Sequence, residues 1–248
     1  MSGSVEFVQP DWRLPGVRVL STTRAGGVSE GAFASLNLAL HVGDDPLAVT
    51  ENRRRLRGVA GLPAEPLWLE QVHGIDVVVH SRQPGVARAD ASVAFEPGRV
   101  CAVMTADCLP VVLADRDGTR IGVAHAGWRG LAGGVIEATV AALDVRPGEL
   151  MAWLGPAIGP AAFEVGPEVR QAFVERDAGA AACFESNSRG RHQADLAGLA
   201  RLALARAGVS EVTASGECTA RDRSRYFSHR RDGASGRMAT LAWLEAVP

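Results

Sequence analysis

The chain contains no lysine, and all 26 of its basic residues are arginine. A Schiff base, or any other mechanism with a lysine amine as nucleophile, is excluded. With abundant alanine and glycine, this bias reads as the codon usage of a GC-rich genome rather than as chemistry. Cysteine is also scarce. Cys101, Cys108, Cys183 and Cys218 are too few and too unevenly spaced for a disulfide framework in 248 residues, so they are expected as thiols or metal ligands in a reducing compartment. No apolar run approaches the roughly 20 residues that cross a bilayer. Met1 to Trp12 lacks the basic and apolar regions of a leader, so the expectation is a cytoplasmic protein with no membrane partner. Formal net charge is −2, and the one block of like charge is Arg53-Arg54-Arg55, which argues against nucleic acid as a partner. No repeat, low-complexity segment or dividing linker appears, so residues 1–248 are read as one domain.

What is present is an alternation of short apolar runs with glycine-rich turns and amphipathic stretches. Strands are expected at Val17–Leu20, Leu67–Leu69, Ile75–His80, Val100–Thr105, Pro110–Ala114, Arg120–Ala124, Leu150–Leu154, Val212–Ala214 and Met238–Leu244. Helices are expected at Pro46–Gly58, Gly133–Leu143, Pro167–Arg176 and Ala194–Ala207, and loops at Arg24–Ser29, Arg82–Ala89 and Gly155–Pro160. Strands mixed with helices imply an α/β domain, and adjacent short strands imply mixed rather than purely parallel sheets.

Three words carry the chemistry: Gln71-Val72-His73-Gly74, Thr105-Ala106-Asp107-Cys108 and His125-Ala126-Gly127-Trp128-Arg129-Gly130. Each lies at the end of an apolar run, where rigid strand ends can deliver two imidazoles and a thiolate to one point. Such a trio binds zinc and leaves a fourth position open. The spacing is not that of a zinc finger. Cys108 also reads as a nucleophile with His125 or His73 as its base and Asp107 or Asp90 orienting the ring, a role opposed to ligation because it needs a free thiolate. Two histidines, a cysteine and a weak methionine, Met104, also describe a copper site, although six histidines supply a multicopper cluster poorly. For an anion such as phosphate the candidates are Arg230 and Arg231, with Arg53 and Arg129 as alternatives. Tyr226, Phe227 and Trp128 are candidates for stacking on a base or for core positions. The Gly155–Pro160 turn lacks the lysine of a P-loop.

At these words the chain resembles the YfiH/laccase-domain family, also described as the polyphenol oxidase or peptidoglycan-editing-factor family. The likeness runs through Thr22–Ser29, Ser35–Leu38, Glu51–Arg53, Gln71–His73, Ala89–Ala91, Thr105–Cys108, His125–Gly130, Gly155–Gly159 and Phe227–Gly233. It implies a layered α/β/β/α sandwich with mixed sheets and one zinc held by His73, Cys108 and His125. It also implies phosphorolysis of adenosine, inosine and 5′-methylthioadenosine, with adenosine deamination. The site residues would then be Cys108, His73, His125 and Arg231, the last as phosphate holder, with Arg53, Arg24, Asn37, Gln71 and Arg230 binding substrate. One branch of the family instead edits misincorporated amino acids in a peptidoglycan precursor. A cysteine hydrolase using Cys108 and a zinc-stabilised interaction module are the remaining alternatives. The chain departs from many relatives at Ala161-Ala162-Phe163, where a cysteine pair and a tyrosine are frequent.

Overall fold

The computed structural model describes residues 4–12, 14–80 and 87–246. In chain order the elements begin with β1 (Phe7–Val8), β2 (Val17–Thr22), α1 (Pro46–Ala60), β3 (Leu69–Glu70), β4 (Val77–Val79), β5 (Ala87–Arg88) and β6 (Ala91–Ala94). Three long strands follow, β7 (Val100–Thr105), β8 (Leu109–Asp115) and β9 (Ile121–Ala126), then α2 (Trp128–Gly133), α3 (Val135–Ala142) and β10 (Leu150–Leu154). The chain continues through β11 (Glu164–Val165), α4 (Pro167–Val174), β12 (Phe184–Ser186), β13 (His192–Ala194) and α5 (Leu196–Arg206). It closes with β14 (Glu211–Ala214), α6 (His229–Asp232) and β15 (Met238–Leu244).

Two sheets organise this single-domain α/β fold. One has the order β1-β2-β15-β7 and is antiparallel throughout. The other, β14-β10-β8-β9-β6-β4, is mixed, with parallel pairs at both edges. Every residue of β7, β8, β9 and β15 is buried, as continuous apolar strands must be when both faces are covered. The inner faces meet through Val19, Val103 and Ala242 on one side and Val112, Val123 and Trp153 on the other. Leu131, Ile136, Phe173 and Leu199 of α2 to α5 cover the outer face of the six-stranded sheet. Leu56 of α1, with Leu36 and Leu38, covers the other. The result is an α/β/β/α sandwich.

Local chemistry explains where the elements begin and end. Asp45 caps α1 through Leu47 N–H at 2.9 Å, Pro46 opens it, and Gly61 at φ 61° closes it. The expected stop at Gly58 is thus replaced by Gly61, because a closing residue must enter the left-handed region. The expected helix over Gly133–Leu143 is α3, preceded by a short helix α2 that the sequence pattern does not show. Gly134, at φ 109°, separates the two, and α2 begins at Trp128, directly after β9. The expected start at Ala194 moves to Leu196, since Asp195 is the cap and accepts from Gly198 N–H at 3.0 Å. Of the expected loop Arg82–Ala89, residues 82–86 lie outside the described residues and 87–88 form β5. None of the described helices is long and apolar enough to cross a membrane.

Helix α1 is tied to the loop that precedes it by a buried side chain. Asn52 is fully buried and accepts from Val28 N–H at 2.8 Å. It donates to Ser29 Oγ, Ser35 O and Asn37 O at 2.8, 3.1 and 2.8 Å. These bonds fix the 28–37 loop. Asn52→Ala strands several buried polar groups and is expected to lower unfolding free energy by about 2–4 kcal/mol, read from the midpoint of a urea transition; an unchanged midpoint would contradict this account.

Candidate active site

The register of the six-stranded sheet assembles the centre. Across the β6–β9 ladder Ala91 pairs with Ala124, so Asp90, one residue earlier, lies opposite His125. Across β8–β9 Leu109 pairs with Ala126, so Cys108 lies opposite Gly127. Strand starts and a strand end thereby meet at one edge of the sheet. A Cβ built on Gly127 would stand 2.9 Å from His73 Cδ2 and 3.1 Å from Cys108 Sγ. The glycine is what lets this edge approach the trio so closely.

His73 arrives on the loop after β3. Its backbone is left-handed, φ 60°, a conformation that costs a non-glycine residue on the order of 1–3 kcal/mol. Asp90 offsets that cost. Its fully buried carboxylate accepts from Val72, His73 and Gly74 N–H at 3.1, 2.9 and 2.6 Å, and from His125 Nδ1 at 2.8 Å. Burial alone would raise its pKa, but the bonds from His125, Gly74 and Val72 outweigh burial and hold it below its ordinary value.

With Nδ1 of His125 committed to Asp90, Nε2 is left to face Cys108. Sγ of Cys108 lies 3.8 Å from His73 Nε2, and the two imidazoles meet edge to face with centroids 4.7 Å apart. The ligand atoms of His73, Cys108 and His125 all fall within 4.8 Å of one another, a group able to hold one metal ion. Burial pushes the Cys108 thiol up, but His125 and His73 outweigh it and bring it down to about 6. Burial pulls His125 down, and the facing thiolate and Asp90 carry it up instead. The anionic sulfur that a metal requires is therefore available at neutral pH.

The trio lines a cavity of about 330 Å³ with Gln71, Met104, Thr105 and Ala106. Its other walls are His41, Arg129, His229 and Arg237. No carboxylate is among these lining residues.

The expected substrate residues are placed differently. Gln71 lines the cavity and clasps the end of β7, donating to Met104 O at 2.9 Å and accepting from Met104 N–H at 2.7 Å. Asn37 is buried and accepts from Arg237 N–H at 2.9 Å. Arg53 donates to Leu38 O and stacks on Trp68. Arg24 donates to Ala34 O and Arg223 O and lies over Phe227. Arg230 donates to Glu164 O and lies over Phe163. Arg231 spends its guanidinium on Thr219 O, Ala220 O, Tyr226 O and the Asp232 carboxylate, which tie one turn to another. None of these four arginines lines the cavity.

Tyr226 and Phe227 are fully buried core residues, and Ala161–Phe163 stand apart from the cavity. Asp107 does not touch the imidazoles. Its carboxylate accepts from Thr219 and Ser228 hydroxyls and Arg230 N–H, pinning the turn that carries His229. The residues that sequence reasoning left without a role are Arg237, His229 and His41. His229 lay inside a recognised word, whereas Arg237 is a single polar residue before an apolar strand, for which no local signal exists.

The family model described as multi-copper polyphenol oxidoreductase laccase matches residues 18–245. The chain belongs to this family. It is 54% identical over 241 residues to a purine nucleoside phosphorylase of Pseudomonas aeruginosa, covering 96% of this chain and 98% of that one. To the purine nucleoside phosphorylase YfiH of Escherichia coli K12 it is 50% identical, covering 96% and 99%. Among solved structures, the Neisseria meningitidis protein NMB0706 superposes with a TM-score of 0.93 at 51% identity, covering 97% and 99%. YlmD of Geobacillus stearothermophilus superposes with a TM-score of 0.90 at 34% identity, covering 96% of each chain. Despite the family's description, the described residues of this member contain one group of such side chains able to hold a metal ion, His73, Cys108 and His125.

Two outcomes follow from this geometry. Asp90→Asn removes the negative charge and one of the two acceptor oxygens shared by His125 and the backbone N–H groups of 72–74, and is expected to weaken metal binding about 10–100-fold, measured by competition with a chromophoric chelator; wild-type affinity would show that Asp90 does not orient the ligand. In metal-free protein the depressed thiol is deprotonated above its folded pKa, so alkylation of Cys108 should rise through a midpoint near pH 6 and be suppressed by metal. A midpoint at the ordinary thiol value would refute the ion pair.

Proposed function

We propose that this protein is a zinc-dependent purine nucleoside phosphorylase that cleaves adenosine, inosine and 5′-methylthioadenosine with phosphate, and that it also deaminates adenosine. The observation that carries the reading is the ligand trio opening on a cavity whose remaining charged groups are cationic. The purine nucleoside phosphorylases to which the chain is similar along nearly their whole length support it. Two imidazoles and one thiolate suit zinc in donor type and number, and the cavity lies within the range of about 300–1,000 Å³ usual for small-molecule sites. Three ligands facing a cavity also speak against a zinc-stabilised interaction module, which needs a closed four-ligand site.

Bound by His73, Cys108 and His125, zinc would supply Lewis-acid polarisation of a substrate oxygen. In phosphorolysis a phosphate oxygen bonds to C1′ while the C1′–N bond breaks, and the purine leaves with the electron pair and takes up a proton. His229 Nδ1 is engaged with Gly233 O at 2.8 Å, which leaves Nε2 to exchange that proton. Asp90 holds the His125 ring still throughout, so no reorganisation is needed as charge develops.

One observation favours a second reading. Asp90, His125 and Cys108 form an ordered carboxylate–imidazole–thiolate series, the arrangement of a cysteine hydrolase, and such an enzyme would include an editor of amide bonds in a cell-wall precursor. His73 has no part in it. The two readings separate on products. Zinc-loaded protein with adenosine and phosphate should give ribose 1-phosphate equal to the sum of adenine and hypoxanthine by mass spectrometry, with inosine or hypoxanthine marking deamination. Cys108→Ala and His125→Ala should each lower kcat/KM at least about 100-fold, and chelation should abolish turnover. No nucleoside product at all, together with a thioester trapped at Cys108 of metal-free protein, would replace the phosphorylase with the hydrolase.

A further inference from the structure

Two arginines line the cavity, Arg129 and Arg237, and both keep donors open toward it. Arg237 is half-buried just before β15, and its main chain is held by Asn37 Oδ1 at 2.9 Å. Its Nη1 donates to Ser235 O and Gly236 O at 2.7 and 3.1 Å. These bonds fix the fork and leave Nε and Nη2 without an acceptor among the described residues. Arg129 stacks on Trp128, 4.4 Å from the ring centroid. It makes no hydrogen bond or ion pair to any described residue. Neither forms an ion pair with a described carboxylate, although Asp107 and Cys108 lie near enough to act on Arg237, and no carboxylate lines the cavity they share. Arg129 is exposed, whereas Arg237 is half-buried; a guanidinium partly withdrawn from water is ordinarily paired, and a rigid fork with free donors matches an oxyanion.

We propose that Arg129 and Arg237 form a phosphate-oxyanion subsite in this cavity, beside the ligand trio, and that inorganic phosphate is its occupant. The subsite stands on the two side chains; the choice of occupant rests on the phosphorylase reading. Arg237 is close enough to the rim to act on His41, which burial first, and then Arg237 and Arg53, hold below its ordinary pKa. Arg24, Arg53, Arg230 and Arg231 do not compete for the anion, because their forks are engaged by backbone carbonyls and, for Arg231, a carboxylate.

The same oxyanion can belong to free phosphate or to a nucleotide, and calorimetry on zinc-loaded protein distinguishes them. Inorganic phosphate is expected to bind alone and together with saturating adenosine. Arg129→Gln and Arg237→Gln should each weaken phosphate about tenfold or more, the scale of losing a charge-assisted hydrogen bond, with little change for adenosine. Binding of AMP with no binding of inorganic phosphate would overturn the assignment of occupant, and phosphate affinity unchanged in both variants would overturn the subsite. Phosphate binding that the variants lose, in a protein that forms no ribose 1-phosphate, would support the subsite and remove the phosphorylase. Phosphorolysis with an unaltered KM for phosphate in both variants would do the reverse. Should the variants fail to fold, phenylglyoxal modification of the wild type, mapped by mass spectrometry, decides. Phosphate should protect Arg129 and Arg237, and equal modification with and without phosphate would refute the proposal.

Discussion

The carboxylate of Asp90 is the point on which the site depends. Three consecutive backbone N–H groups and one imidazole converge on it, and it has no exposure to water. Those bonds do separate tasks. The backbone bonds hold a loop whose central residue is left-handed and would otherwise relax, and the imidazole bond selects which nitrogen of His125 faces the cavity. A buried carboxylate is costly unless fully hydrogen-bonded, so one error in its surroundings would release both tasks together. Loop, ring and thiolate are consequently fixed before any ligand arrives, which is the condition for a metal site of defined geometry.

The cavity is also a product of how the two sheets are stacked. Cys108, His125 and Asp90 belong to the six-stranded sheet, whereas Arg237 precedes β15 in the four-stranded one, where Met238 pairs with Thr105. The chain passes from one sheet to the other through Ala106-Asp107-Cys108. Asp107 takes the sharp turn at φ 87° and uses its carboxylate to anchor the segment bearing His229. Two aspartates thus divide the work, Asp90 setting the ligands and Asp107 setting the far wall. The interior between the sheets, with Trp153, Val112 and Val123 against Val103 and Ala242, transmits that alignment because close-packed apolar layers slide little.

What could be read in the sequence divides along physical lines. Strands such as Met238–Leu244 and Val100–Thr105 were legible to the residue because their apolar runs are continuous and sharply bounded. The trio was legible because each ligand ends such a run. Helix α2 before Gly134 was not, since its six residues are too few for an apolar periodicity to register and the φ of 109° that ends it is visible only in three dimensions. The choice between Asp90 and Asp107 as partner of His125 was also closed to sequence, because it follows from the β6–β9 register, a pairing of strands distant in the chain. Cβ clearance at Gly127 belongs to the same class.

The arginines show why residue type alone does not assign a role. In a chain without lysine, arginine must supply structural ties, surface charge and ligand contacts alike, and a motif such as Ser228-His229-Arg230-Arg231 does not say which. Arg231 satisfies its donors with carbonyls from two turns and an adjacent carboxylate, so moving it to an anion would leave those acceptors unpaired. Arg237 and Arg129 incur no such loss. The deciding quantity is the number of donors still without an acceptor once the fold is complete. By that criterion the open forks that line the cavity belong to Arg237, at the head of β15, and Arg129, in the first turn of α2, beside His73, Cys108 and His125.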